Sequence, residues 1–204
     1  MRRPAIALLV VVGSLALPAA ASAQGTLTPA QFAGIDAVYV AFGTFEDGAT
    51  TAERVATRAA CRALGSTDAL LSALRRACLP QLRIGQALGQ ANRCDARTAC
   101  LLAARRVQRA ATDYLRFARA ANREVDELGL SPACTKELRR SAAELRLITD
   151  MRSAYAQLER ALRARSRSRA ERAERRIAGL RFPDSRPAAQ QRADYTAACA
   201  PPPG

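Results

Sequence analysis

The chain has 204 residues, 32 basic and 18 acidic side chains, a formal charge of +14 and no histidine. That length suits one domain with a real core, and the missing histidine removes the commonest general base and metal ligand. No G-x-S-x-G elbow, phosphate-binding glycine loop, dinucleotide fingerprint or C-x-x-C pair occurs. Nucleophile-elbow, nucleotide-dependent and common zinc chemistries therefore have no motif to stand on, and no cofactor or metal is expected.

The chain opens with Arg2 and Arg3, an apolar run from Pro4 to Leu17, and a small-residue stretch ending Ala21-Ser22-Ala23. Charged start, apolar middle and A-x-A end form a cleavable secretory signal over 1–23. The apolar run is short of the about 20 residues a bilayer span needs. Nothing after residue 24 approaches 18 uninterrupted apolar residues, so a secreted chain starting at Gln24 and without a transmembrane span is expected. Of the 32 basic residues only Lys136 is lysine, and alanine is abundant. Arg and Ala codons are rich in G and C, so this bias points to a GC-rich, bacterial genome before it points to phosphate recognition.

Thr28-Pro29-Ala30-Gln31 is a helix start, with Thr28 as N-cap, Pro29 at the first helical position and Gln31 closing a capping box. Phe32, Ile35, Tyr39 and Phe42 then share one face up to Gly43. A second box, Thr50 to Glu53, opens a helix ending near Gly65; Ser66 or Thr67 restarts the chain. In the third element Leu70, Leu71, Leu74 and Cys78 face inward and Pro80 should kink or break it.

The fourth element carries the clearest pattern. Cys100, Ala104, Val107, Ala111, Tyr114, Ala118, Ala121, Val125 and Leu128 alternate at spacings of four and three, an unbroken heptad seam. Leu101, Leu115 and Phe117 widen it towards more than one partner, Asp95 is the expected N-cap, and Gly129 ends it. Ser131-Pro132 starts the fifth helix at once, which forces an antiparallel hairpin. That helix should run from Pro132 to Leu180 with a bend or departure over Arg163–Arg169.

The expected fold is all-α: a mostly antiparallel, disulfide-stabilised bundle of about five helices near 28–43, 50–64, 67–92, 95–129 and 131–180. One helical domain covers 24–182, and 183–204 is a mobile Pro/Ala-rich tail except near Cys199. Cys61, Cys78, Cys94, Cys100, Cys134 and Cys199 are the bridge candidates for an oxidising compartment. Six cysteines allow 15 pairings, and sequence alone does not choose among them. Chain reversal hints at Cys94 with Cys100, tethering of the tail at Cys134 with Cys199, leaving Cys61 with Cys78. Cys134 lies in a first helical turn, where thiol reactivity is raised, but no histidine can act as its base.

Charge is uneven. Residues 61–123 carry a net +9 and residues 161–182 a net +6. Arg105, Arg109, Arg116, Arg119 and Arg123 form a ridge opposite the heptad seam, and Arg163, Arg165, Arg167 and Arg169 form a second basic stretch continuing to Arg176. These are the anion-binding candidates, suited to anionic envelope polymers or lipid headgroups. No aromatic residues interleave with them as a base-stacking surface would need, so no specific nucleic-acid partner is expected. Glu124, Asp126 and Glu127 crowd a helix C-terminus; the neighbouring helix N-terminus from Ser131 gives them a structural role. The expected function is a secreted, non-enzymatic protein associating electrostatically with envelope material. The alternatives are a secreted hydrolase using a carboxylate pair, and a carrier whose apolar pocket is lined by Tyr39, Phe42, Tyr114 and Tyr155.

Overall fold

The structure, a computed structural model, describes residues 25–43, 51–65, 67–181 and 186–201. The expected signal over 1–23, Thr50, Ser66, Phe182-Pro183 and the closing 202–204 lie outside the described residues, as do the side chains of Phe42 and Glu53. The described residues form eight helices: α1 (Pro29–Gly43), α2 (Thr51–Ala63), α3 (Ala69–Ala91), α4 (Arg97–Glu127), α5 (Pro132–Leu138), α6 (Ala142–Arg163), α7 (Arg167–Ala178) and α8 (Ala188–Cys199). The fold is all-α. Among the described residues no helix is long and apolar enough to cross a membrane.

The long helix α4 is the axis, because its apolar residues occupy more than one face. Ala104, Val107, Ala111, Tyr114, Ala118 and Val125 of the seam are all buried, and Ala103, Ala110 and Leu115 are buried beside them. Helices α3 and α6 pack along it, and α7 folds back on α6. One core cluster joins Ile84 and Ala87 of α3, the first two-thirds of α4, Ile148, Met151, Tyr155 and Leu158 of α6, and Ala173 of α7. A second joins Leu27, Ile35, Leu70, Leu71, Val125, Leu138 and Tyr195, from the N-terminal segment, α1, α3, the end of α4, α5 and α8. The molecule is thus a helical shaft with a cap at the C-terminal end of α4.

The Thr28 box forms as its residue types require. Thr28 Oγ1 accepts the Gln31 amide at 3.2 Å, and Gln31 Oε1 accepts the Thr28 amide at 2.9 Å. Gly129 ends α4 with φ of 59°, a left-handed turn that favours glycine. Its carbonyl accepts the Gly25 amide at 2.9 Å, and Gly25 pairs with Leu130 in an isolated bridge. A Cβ on Gly25 would fall on the Leu128 carbonyl oxygen, so this contact needs glycine.

Three disulfides close the described chain: Cys61–Cys78, Cys94–Cys100 and Cys134–Cys199, with Cα separations of 5.8, 5.2 and 4.8 Å. The first ties α2 to α3, the second closes the α3–α4 turn, and the third ties α8 to α5.

Several boundaries differ from the sequence expectation, each for a physical reason. Helix α3 runs unbroken through Pro80, which is buried with Ala77, Cys78, Leu82 and Ile84; packing against α4 outweighs the missing hydrogen bond. Its N-cap is Asp68 rather than Ser66 or Thr67: Oδ1 accepts the Leu71 amide and Oδ2 the Gln31 side chain, both at 2.8 Å. Asp95 does not cap α4; Ala96 stands there without a side-chain bond, one residue further on. The fifth helix is three helices. Asn122 bonds both Arg140 backbone groups between the extended Arg139 and Ser141, Ser141 caps α6, and Arg165 at φ 51° separates α6 from α7. The tail expected to be mobile forms α8. Tyr195 is fully buried there, stacked on Phe32 and Tyr39 at 5.1 and 5.0 Å, and its hydroxyl donates to the Phe32 carbonyl at 3.0 Å.

Candidate functional site

Helices α4 and α6 lie antiparallel, Arg105 facing Glu159 and Tyr114 facing Glu144. Their inward faces fill the shaft core, and their outer edges leave a shallow groove of about 790 Å3. Gln108, Arg109, Thr112 and Asp113 line it from α4; Thr149, Arg152, Ser153, Ala156 and Arg160 line it from α6. Arg152, Ala156 and Arg160 share a face because they follow one another at steps of four, one position round from the buried Met151, Tyr155 and Leu158.

Three arginines therefore line the groove with one carboxylate. Among the described residues Arg109, Arg152 and Arg160 are in no ion pair, and all three are exposed. Asp113 pairs with Arg83 of α3 at 3.9 Å, both side chains exposed; such a pair contributes little. The Thr112 and Thr149 hydroxyls donate to carbonyls of their own helices, at Gln108 and Leu145. The guanidinium groups are thus the strongest donors the groove offers, and they suit phosphate, sulfate or carboxylate oxygens.

One end of the groove is electrostatically closed. Glu159 accepts from Arg105 Nε at 2.8 Å, from Gln108 Nε2 at 2.8 Å and from Arg163. The hydrogen bond from Arg105 chiefly, with Gln108 and Arg163, holds its carboxyl down at about 2, against the effect of burial. Arg105 and Arg163 are thereby partnered within the protein.

Of the arginines that the sequence pattern nominates for anion binding, the groove takes in Arg109. Arg116 lies over the Phe117 ring at 5.6 Å. Arg119, Arg123, Arg165 and Arg169 are exposed elsewhere, and Arg167 pairs with Glu171 at 2.9 Å on α7. Arg152 and Arg160 are not among those candidates. Their place on the edge of the α6 apolar stripe is legible in the sequence, but the α4 edge that faces them is not. Asp126 of the acidic group pairs with Arg139 at 3.4 Å.

The tyrosines expected to line an apolar pocket are divided between the two cores. Tyr114 and Tyr155 sit in the shaft; Tyr39 sits in the cap, its hydroxyl donating to the Glu137 carbonyl at 3.2 Å. Tyr114 donates to Glu144, and burial pushes its phenol well above the usual range. Arg140 lies beside that pair, and its Nη2 reaches Gln81 Oε1 at 3.4 Å. This cluster joins α3, α4 and α6 from inside. Among the described residues no group of three or more His, Cys, Asp or Glu side chains is placed to hold a metal ion. The chain matches no family model, no curated protein and no solved structure.

Proposed function

We propose that this chain is exported and acts as a non-enzymatic binder of anionic polymers or lipid headgroups of the cell envelope, with the α4–α6 groove as its contact surface. The observation that carries this reading is the convergence of Arg109, Arg152 and Arg160 on one groove with a single carboxylate among its lining residues. Export is supported by the secretory pattern of 1–23 and by three disulfides, which persist in oxidising compartments. The charge of +14 adds long-range attraction, while the groove adds a place where the partner can shed water and be held by several donors.

The test separates a site from generic charge. Arg109→Gln/Arg152→Gln/Arg160→Gln and Arg119→Gln/Arg123→Gln/Arg169→Gln remove the same charge from different surfaces. Binding to heparin, to polyphosphate and to vesicles with anionic headgroups is measured across a salt series. The groove triple should lose about tenfold or more in affinity and flatten the salt dependence; the control triple should lose only a few-fold. Equal losses from both would leave no groove site. Different losses for polymer and vesicle identify which anionic surface it fits.

A further inference from the structure

A second basic concavity lies between α2 and α3, across the Arg83–Asp113 pair from the α4–α6 groove. Arg58 and Arg62 stand one turn apart on α2, Arg83 and Gln86 line it from α3, and Leu79 and Leu82 complete the lining around about 260 Å3. Leu82 is buried and Leu79 half-buried, both packed on the Cys61–Cys78 disulfide. That bond holds α2 against α3, so the two arginine-bearing edges keep their relative position.

None of the lining residues is acidic. Among the described residues Arg58 and Arg62 are in no ion pair, and Arg83 has Asp113 alone, at 3.9 Å. Three arginines lining one small space raise a positive field there, which an apolar lining strengthens. Half-buried Leu79 leaves apolar surface among these charges, with Leu82 buried beneath it against the disulfide. Together the arginines and leucines match a ligand with a compact, doubly charged head and a short apolar arm. The volume falls below the about 300–1,000 Å3 of drug-sized sites, so the ligand is small rather than polymeric. Planar guanidinium forks fit phosphate oxygens in pairs.

We infer that the α2–α3 pocket binds a small organic phosphate monoester, its phosphate held by Arg58, Arg62 and Arg83 and its apolar group against Leu79 and Leu82. This site does not depend on the polymer-binding groove.

Isothermal titration of the oxidised chain at one fixed ionic strength tests it, with phenyl phosphate, inorganic phosphate and benzyl alcohol as probes. Phenyl phosphate should bind at least about tenfold tighter than inorganic phosphate, and benzyl alcohol should not bind measurably. Arg58→Gln/Arg62→Gln, both on an exposed helix face and checked for unchanged circular dichroism, should weaken phenyl phosphate by about tenfold or more. Arg152→Gln/Arg160→Gln in the groove should leave it unchanged. Equal binding of the two phosphates, full retention by the α2 variant, or loss on the groove variant would each overturn the assignment.

Discussion

Asn122 is 8% exposed and exchanges two hydrogen bonds with the Arg140 backbone, donating from Nδ2 at 2.9 Å and accepting the amide at 2.8 Å. The two peptide groups it satisfies belong to the stretch that cannot be helical between α5 and α6. Asn122→Ala leaves a buried N–H and C=O unpaired, each costing about 1–3 kcal/mol. A loss of about 2–4 kcal/mol in urea unfolding is expected, and Asn122→Asp, which sets a carboxylate oxygen against the Arg140 carbonyl, should not rescue it. Glu159 makes a different prediction. Its carboxyl titrates at about 2 in the fold against an ordinary 4.5. A lowered carboxyl stabilises the fold fully above the unfolded value and loses that contribution as pH falls through the folded one. Stability of the parent chain should therefore drop between about pH 4.5 and 2 by more than that of Glu159→Gln, with the two curves converging at the acid end, as thermal melts over that range would show.

Helix α4 is lined with alanine where it meets its neighbours: Ala104, Ala111 and Ala118 are fully buried. Small side chains let α3 and α6 approach closely, and there is no spare volume to absorb a larger one. Ala111→Leu should cost about 1–3 kcal/mol by overpacking, whereas Thr112→Leu, one residue round and exposed, should change the melting temperature little. This helix is the most legible part of the sequence, because its seam is long and regular. The Thr28 start is equally plain, since each residue type in the box has one job. Other boundaries are hidden for reasons of context. Whether Pro80 breaks a helix depends on what packs on its far side. The α5–α6 break depends on Asn122, 18 residues upstream, although Ser141 three residues before Glu144 marks the new start locally. Helix α8 has too few large apolar residues to announce itself; a tyrosine between two other rings, a disulfide and the Arg192–Asp36 pair dock it. The groove is half visible for the same reason: each arginine edge can be found on its own helix, but which edges face each other is a property of packing.

On the scale of the molecule, the two cores and the charge distribution divide the labour. The shaft gathers α3, α4, α6 and α7, and the cap gathers α1, α5 and α8 around the far end of α4. Ion pairs cross between elements in both: Arg176 with Asp150 ties α7 to α6, and Arg192 holds both Asp36 oxygens at 2.7 and 2.8 Å, tying α8 to α1. That contact lowers the Asp36 carboxyl chiefly through the Arg192 hydrogen bond. Of the arginines outside ion pairs among the described residues, Arg109, Arg152 and Arg160 lie on the α4–α6 edge and Arg58 and Arg62 on the α2–α3 edge, where both proposed sites fall, while Arg119, Arg123, Arg165 and Arg169 lie elsewhere.

The Cys134–Cys199 bond spans 65 positions of sequence, and α6 and α7 both lie inside that span. Topologically, that portion of the polypeptide is a ring. The arginyl bonds at the α6–α7 turn, where Arg165 and Arg167 are exposed, belong to the ring. A single hydrolytic cut there opens the ring without parting the molecule: both new ends stay covalently attached through sulfur, and the helices on either side remain lodged in their packing. Outside a cell, where endoproteases act but reductants are scarce, one such wound would leave the protein whole in mass and shape. Separation would require a reductant as well as a protease.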